Sequence, residues 1–124
     1  MTSEPLWTDV ISWLCGRSDS PKQKAVLRKI KFRECNNIPG DLETGDKSRY
    51  FAHTGHFGNT VCVSKDFSRL PVKNRIGILI HEIGHILSGV TDEPSADLYI
   101  LDNFGIQIQY KGAKELQYID VDFK

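Results

Sequence analysis

No apolar run in this 124-residue chain approaches the roughly 20 residues that a membrane-spanning helix needs. The start of the chain lacks the basic segment followed by a long apolar run that marks a secretory signal. An excess of charge of one sign is also missing: Lys plus Arg and Asp plus Glu number 16 each. The balance therefore offers no long-range attraction to nucleic acid or to an anionic membrane. One local basic stretch stands out, with Lys22, Lys24, Arg28, Lys29, Lys31 and Arg33. Phe32 is the one aromatic within it, too few for a nucleic-acid platform, so it reads as a solvated face. Cysteine is scarce and odd in number, three in all, at positions 15, 35 and 62. That spacing is neither a disulfide framework nor a CxxC metal site. Free thiols in a reducing compartment are the simpler expectation, and with them a cytoplasmic location.

What is present suits one globular domain spanning residues 1–124, 40% apolar and 26% charged. A chain of this length buries roughly two-thirds of its unfolded surface without staples, so a bound metal would serve function rather than folding.

Local patterns place the elements. Pro5 to Cys15 carries Leu6, Val10, Trp13 and Leu14 on one helical face, with Gly16 as a stop. Trp7 and Trp13 read as core anchors. Ser20 caps a second helix from Pro21 to about Arg28. Lys29 to Cys35 alternates as a strand, and residues 36–47 form a loop. Arg49 to His53 and Thr60 to Ser64 read as a hairpin whose turn contains His56; His53 and His56 are read as polar residues of that hairpin. From Val72, the positions Ile76, Leu79, Ile80, Ile83 and Leu87 give helical periodicity to a stop at Gly89. Asp92 caps a further helix from about Glu93 to Asn103, with Leu98, Ile100 and Leu101 as its apolar side. Ile106 to Tyr110 and Tyr118 to Phe123 alternate as short terminal strands.

The chemistry concentrates at His81-Glu82-Ile83-Gly84-His85. Two histidines four residues apart lie one turn apart on nearly the same helical face, about 6 Å along the axis. Both imidazoles can reach one zinc ion. Glu82 is rotated by about 100° from His81, which suits a general base beside a metal-activated water better than a ligand. Gly84 lets a neighbouring element approach closely. The short turn from Gly89 to Asp92 predicts an antiparallel helix pair. Glu93 then falls near His85 and supplies the third ligand. Asp97, on the same face as Glu93, can accept the outer N–H of a ligating histidine. Asp92 is a rival third ligand.

His81-Glu82-Ile83-Gly84-His85 followed by Glu93-Pro94-Ser95-Ala96-Asp97 resembles the gluzincin metallopeptidases. The stretch from Asn59 to Gly105 is similar to the single-domain minigluzincins and to the ImmA/IrrE-type intracellular peptidases. Residues 1–58 show no pattern that extends the resemblance. The resemblance implies one Zn2+ held by His81, His85 and Glu93, with Glu82 as base and Asp97 orienting a ligand. It also implies that the strand near Thr60 to Ser64 borders the cleft and pairs with an extended peptide. The metzincin continuation fails, because Ser88 and Thr91 stand where Gly and His are needed.

The expected fold is α+β and zincin-like. A small, mostly antiparallel sheet packs on the HExxH helix, and the glutamate-bearing helix follows. The expected function is a zinc metalloendopeptidase that hydrolyses peptide bonds with a zinc-activated water and Glu82 as general base. Its partner is a protein or peptide substrate, with neither nucleic acid nor membrane. The alternative is a regulatory or latent zinc-binding module that recognises a protein partner without general proteolysis. His53, His56, Tyr99, Tyr110 and Tyr118 are open choices for an oxyanion donor. The tail from Gln107 to Lys124, with Asp120 and Asp122, either closes the core or folds back over the cleft as an autoinhibitor.

Overall fold

A computed structural model of the chain describes residues 4–35, 52–55, 58–64, 67–90, 92–111 and 116–119. The organisation is α+β. Along the chain run α1 (Glu4–Arg17), α2 (Pro21–Lys29), β1 (Lys31–Cys35), β2 (Ala52–Gly55), β3 (Gly58–Ser64), a 3-10 turn (Phe67–Arg69), α3 (Val72–Ser88), α4 (Glu93–Phe104), β4 (Gln109–Lys111) and β5 (Leu116–Tyr118). No helix among the described residues is long and apolar enough to cross a membrane.

Local chemistry sets most helix ends. Ser20 accepts a hydrogen bond from Gln23 N–H at 3.1 Å, capping α2 just before Pro21. Gly16 does not stop α1, which continues to Arg17. The Arg17 guanidinium lies over the Trp13 ring and donates to the Phe104 carbonyl at 3.1 Å, so α1 ties down the last turn of α4. Pro71 stands at the cap position before α3 rather than inside its first turn.

The sheet departs from the mostly antiparallel expectation. Its order is β1-β3-β2. The longest pairing is parallel, β1 against β3, from Lys31 opposite Thr60 to Cys35 opposite Ser64. β2 joins the other edge of β3 antiparallel, with an irregular register between His53 and Gly55. A second, two-stranded antiparallel sheet joins β4 to β5. A parallel partner needs a long return of chain, and 22 residues separate Cys35 from Gly58. The hydrophobic pattern of a strand reports which face is buried, not its direction.

β3 is thus the central strand, and Thr60 through Ser64 are buried on both faces. A strand with both edges filled cannot accept a substrate strand, so the expected pairing at Thr60 to Ser64 does not apply. The expected first hairpin strand also shifts: β2 lies at 52–55, and residues 49–51 lie outside the described set. The 36–47 loop lies outside it as well.

The buried apolar side chains form one cluster centred on α3. From Ile76 to Gly84 every residue of α3 is buried, so the helix is enclosed on all sides. α1 contributes Trp7, Val10 and Leu14, and Trp7 stacks on Phe32 of β1. α4 presents Ala96, Ile100 and Phe104 inward. The expected apolar side of α4 is corrected here: only Ile100 of the three is buried, and Leu98 and Leu101 face solvent. The reason is the closeness of α4 to α3, which favours small Ala96 on the inner face.

Two glycines permit that closeness. A Cβ on Gly84 would stand 2.8 Å from the Ala96 carbonyl oxygen, and one on Gly77 would stand 2.5 Å from the Tyr118 Cα. α4 and β5 therefore both lie against α3 at backbone distance. Ile106, Ile108 and Ile119 are buried in the cluster, and Ile119 N–H bonds to the Lys73 carbonyl. Residues 106–111 and 116–119 thus help close the core, whereas residues 112–115 and 120–124 lie outside the described set.

Gly84→Ala is expected to destabilise the fold by about 1–3 kcal/mol through overpacking, although alanine is the better helix former. Urea unfolding checks this. An unchanged or raised midpoint would contradict the close α3–α4 contact.

Candidate metal centre

The buried run of α3 includes two polar residues. His81 has no exposed surface and Glu82 is 3% exposed. Buried polar groups of this kind require partners. One turn on, His85 places its ring edge-to-face with that of His81, centroids 4.7 Å apart. The two Nε2 atoms are 3.2 Å apart.

α4 supplies the partners. Gly89 adopts a left-handed conformation and ends α3, with its N–H on the His85 carbonyl. The chain then turns back through Asp92, which caps α4 by accepting from Ser95 N–H at 2.9 Å. Hydrogen bonding from the Ser95 side chain, and next from its N–H, holds the Asp92 carboxyl below the usual carboxylate range. Asp92 is thereby engaged as a cap, and the adjacent Glu93 carboxylate faces the histidines. Its Oε1 is 2.6 Å from His85 Nε2 and its Oε2 is 3.2 Å from His81 Nε2.

Both outer ring nitrogens are also engaged. His81 Nδ1 lies 2.6 Å from Asp97 Oδ1, and His85 Nδ1 lies 2.9 Å from the Val90 carbonyl oxygen. Acceptors at both positions assign a proton to each Nδ1 and aim each Nε2 inward. The Tyr110 hydroxyl, from β4, donates to Asp97 Oδ2.

Electrostatics follow this geometry. Burial pulls the His81 imidazole down, but hydrogen bonds to Asp97 and Glu93, aided by the Glu82 charge, outweigh it and raise the group to about 10. His85 behaves alike: burial lowers it, the Glu93 and Val90 hydrogen bonds raise it, and the net direction is up. Without a cation, the His81 ring favours the protonated form.

His81, His85 and Glu93 form a group that could hold a metal ion. Ligand atoms about 2.0–2.1 Å from a tetrahedral zinc stand about 3.3–3.4 Å from one another. The Nε2–Nε2 separation and the His81 Nε2–Glu93 Oε2 separation, each 3.2 Å, are close to that spacing. The other carboxylate oxygen, Oε1, lies 2.6 Å from His85 Nε2, the length of a charge-assisted hydrogen bond, which a cation replacing the proton would relax. The residues present therefore fit a small divalent ion. Neither Cys15 nor Cys62 belongs to this group.

Of the expected site residues, His81, His85, Glu93 and Asp97 come together, and Glu82 lies buried beside them. Among the open oxyanion choices, Tyr99 accepts from Gln23 of α2 and Tyr118 bonds to Gln109, so both are engaged elsewhere. The His53 side chain and His56 lie outside the described set. Two contacts went unread in the sequence: the Val90 carbonyl on His85 and the Tyr110 hydroxyl on Asp97. A backbone acceptor carries no residue signal, and Tyr110 gains its place only through tertiary packing.

No family model, no curated protein and no solved structure matches this chain.

Metal ligation requires the histidine nitrogens to shed protons. The raised folded-state pKa values mean that a divalent cation added near pH 7 displaces protons, and that its apparent affinity rises with pH, for His81 up to about 10. In the metal-free chain the sign is opposite: stabilisation from protonated His81 is full below about 6.5 and fades as pH rises through about 10. Calorimetry in buffers of different ionisation enthalpy is expected to show about one to two protons released per ion bound. Binding without proton release would contradict the assignment.

Proposed function

We propose that this chain is a zinc-dependent metalloendopeptidase of the gluzincin type. The observation that carries the reading is the convergence of two inward-facing Nε2 atoms and a carboxylate from the next helix, with buried Glu82 one residue after His81. Two histidines and one glutamate are a donor set that catalytic zinc sites use, leaving one position for solvent. Structural zinc sites are closed by four protein ligands, often cysteine, and among the described residues the group has three donors. When bound, zinc would acidify a water and polarise a peptide carbonyl.

The remaining work belongs to the chain. His81, His85 and Glu93 hold the ion. Asp97 and the Val90 carbonyl keep the two rings in the ligating tautomer. Glu82 takes the proton of the attacking water and passes it to the leaving nitrogen. Its burial strengthens its interaction with nearby positive charge, as its effect on both histidines illustrates. We assign the extended substrate to β2, which among the described residues is an edge strand of the sheet and packs against α3. Backbone pairing there would lay a peptide along the sheet edge. A reducing, cytoplasmic setting is part of the same proposal, supported by the odd number and wide spacing of the cysteines at 15, 35 and 62.

Glu82→Gln separates this reading from a zinc module that only recognises a partner. The variant is expected to retain zinc while hydrolysis of a peptide library falls by about 10²–10⁴-fold. Metal analysis and mass spectrometry of the digest read the two properties. An unchanged cleavage rate would remove Glu82 from the base role, and absence of cleavage by the wild type would defeat the peptidase reading.

A further inference from the structure

We infer that Tyr110 is a positioning residue of the metal centre, acting through Asp97; the inference rests on the ligand set proposed above. Asp97 alone is an incomplete brace. Its Oδ1 meets His81 Nδ1 at 2.6 Å, but a carboxylate held at one oxygen can still rotate about its last bond. The Tyr110 hydroxyl donates to the second oxygen, Oδ2. With both oxygens engaged, the carboxylate plane is fixed, and so is the direction in which it holds the His81 ring. His81 in turn aims Nε2 toward His85 and Glu93. The order of contacts is phenol, carboxylate, imidazole, ion.

The C-terminal hairpin is built to keep Tyr110 in place. Ile106 and Ile108 are buried just before β4, and Ile119 just after β5. β5 lies against α3 at Gly77, where no side chain intervenes. Across the hairpin, Gln109 pairs with Tyr118 in register, and their side chains hydrogen-bond at 3.3 Å. Tyr110 itself is 45% exposed, so its ring contributes little to the core, and its hydroxyl is spent on Asp97. The described residues after α4 therefore support the centre at the outer side of His81.

The test uses the full chain and zinc alone. Zinc affinity is measured by competition with a chromophoric chelator for wild type, Tyr110→Phe, Asp97→Asn and the double variant. Outer partners of metal-bound histidines are worth about 10–100-fold in affinity. Tyr110→Phe is expected to weaken zinc binding by about tenfold and to shift the visible spectrum of the cobalt-substituted chain. In the Asp97→Asn background the same change is expected to do nothing further, because the single amide oxygen is taken by the His81 N–H and no second oxygen remains for the Tyr110 hydroxyl, so the two effects are coupled. Wild-type affinity in Tyr110→Phe, or effects of the two substitutions that simply add, would overturn the positioning role while leaving the ligand set intact. A wild-type chain that holds no zinc would overturn the ligand set itself, and the inference with it.

Discussion

The structure depends on how closely α4 can approach α3. At Gly84 the Ala96 carbonyl oxygen occupies the space that any side chain would need. This contact lies between His81 and His85 on one helix and between Glu93 and Asp97 on the next. It sets both carboxyl groups against the imidazoles, one on the inner nitrogens and one on the outer nitrogen of His81. A wider gap would leave a fully buried imidazole without acceptors, which proteins rarely tolerate. Gly77 plays the matching part on the other side, admitting β5 and with it the hairpin that carries Tyr110.

The electrostatic consequence is an accumulation of acidic groups. Glu82, Glu93 and Asp97 surround two histidines inside a largely apolar core. Such a cluster favours positive charge at its centre, and the upward direction of both histidines expresses this. Protons can supply the charge, and so can a divalent ion. The inward-facing Nε2 pair suits an ion better, because two protonated nitrogens 3.2 Å apart repel. Fold and site are coupled here: the groups that would bind the ion are also those that fill the α3–α4 contact.

Much of the helical framework could be read from local chemistry. Ser20 before Pro21, and Asp92 before Glu93-Pro94, each cap a helix where short-range rules place them. The positions of His81, His85, Glu93 and Asp97 follow from helical spacing and a short connection, so their convergence needed no long-range information. Strand direction did need it. Nothing in Lys31 to Cys35 says that this strand pairs parallel to β3, since that pairing is decided across 22 intervening residues. The inner face of α4 was misread because Leu98 and Leu101 outweigh Ala96 in hydrophobicity, while the space beside Gly84 selects for size. Tyr110 was one aromatic among several until the hairpin set its hydroxyl on Asp97.

The central claim is that imidazoles from successive turns of α3 and the first carboxylate of α4 share one ion. Zinc K-edge X-ray absorption on the chain loaded with one equivalent of metal tests it most directly. Expected is a four-coordinate nitrogen and oxygen shell at about 2.0–2.1 Å, with the outer-shell scattering of two imidazoles. A sulfur shell at about 2.3 Å, or a chain that fails to retain one equivalent, would contradict it.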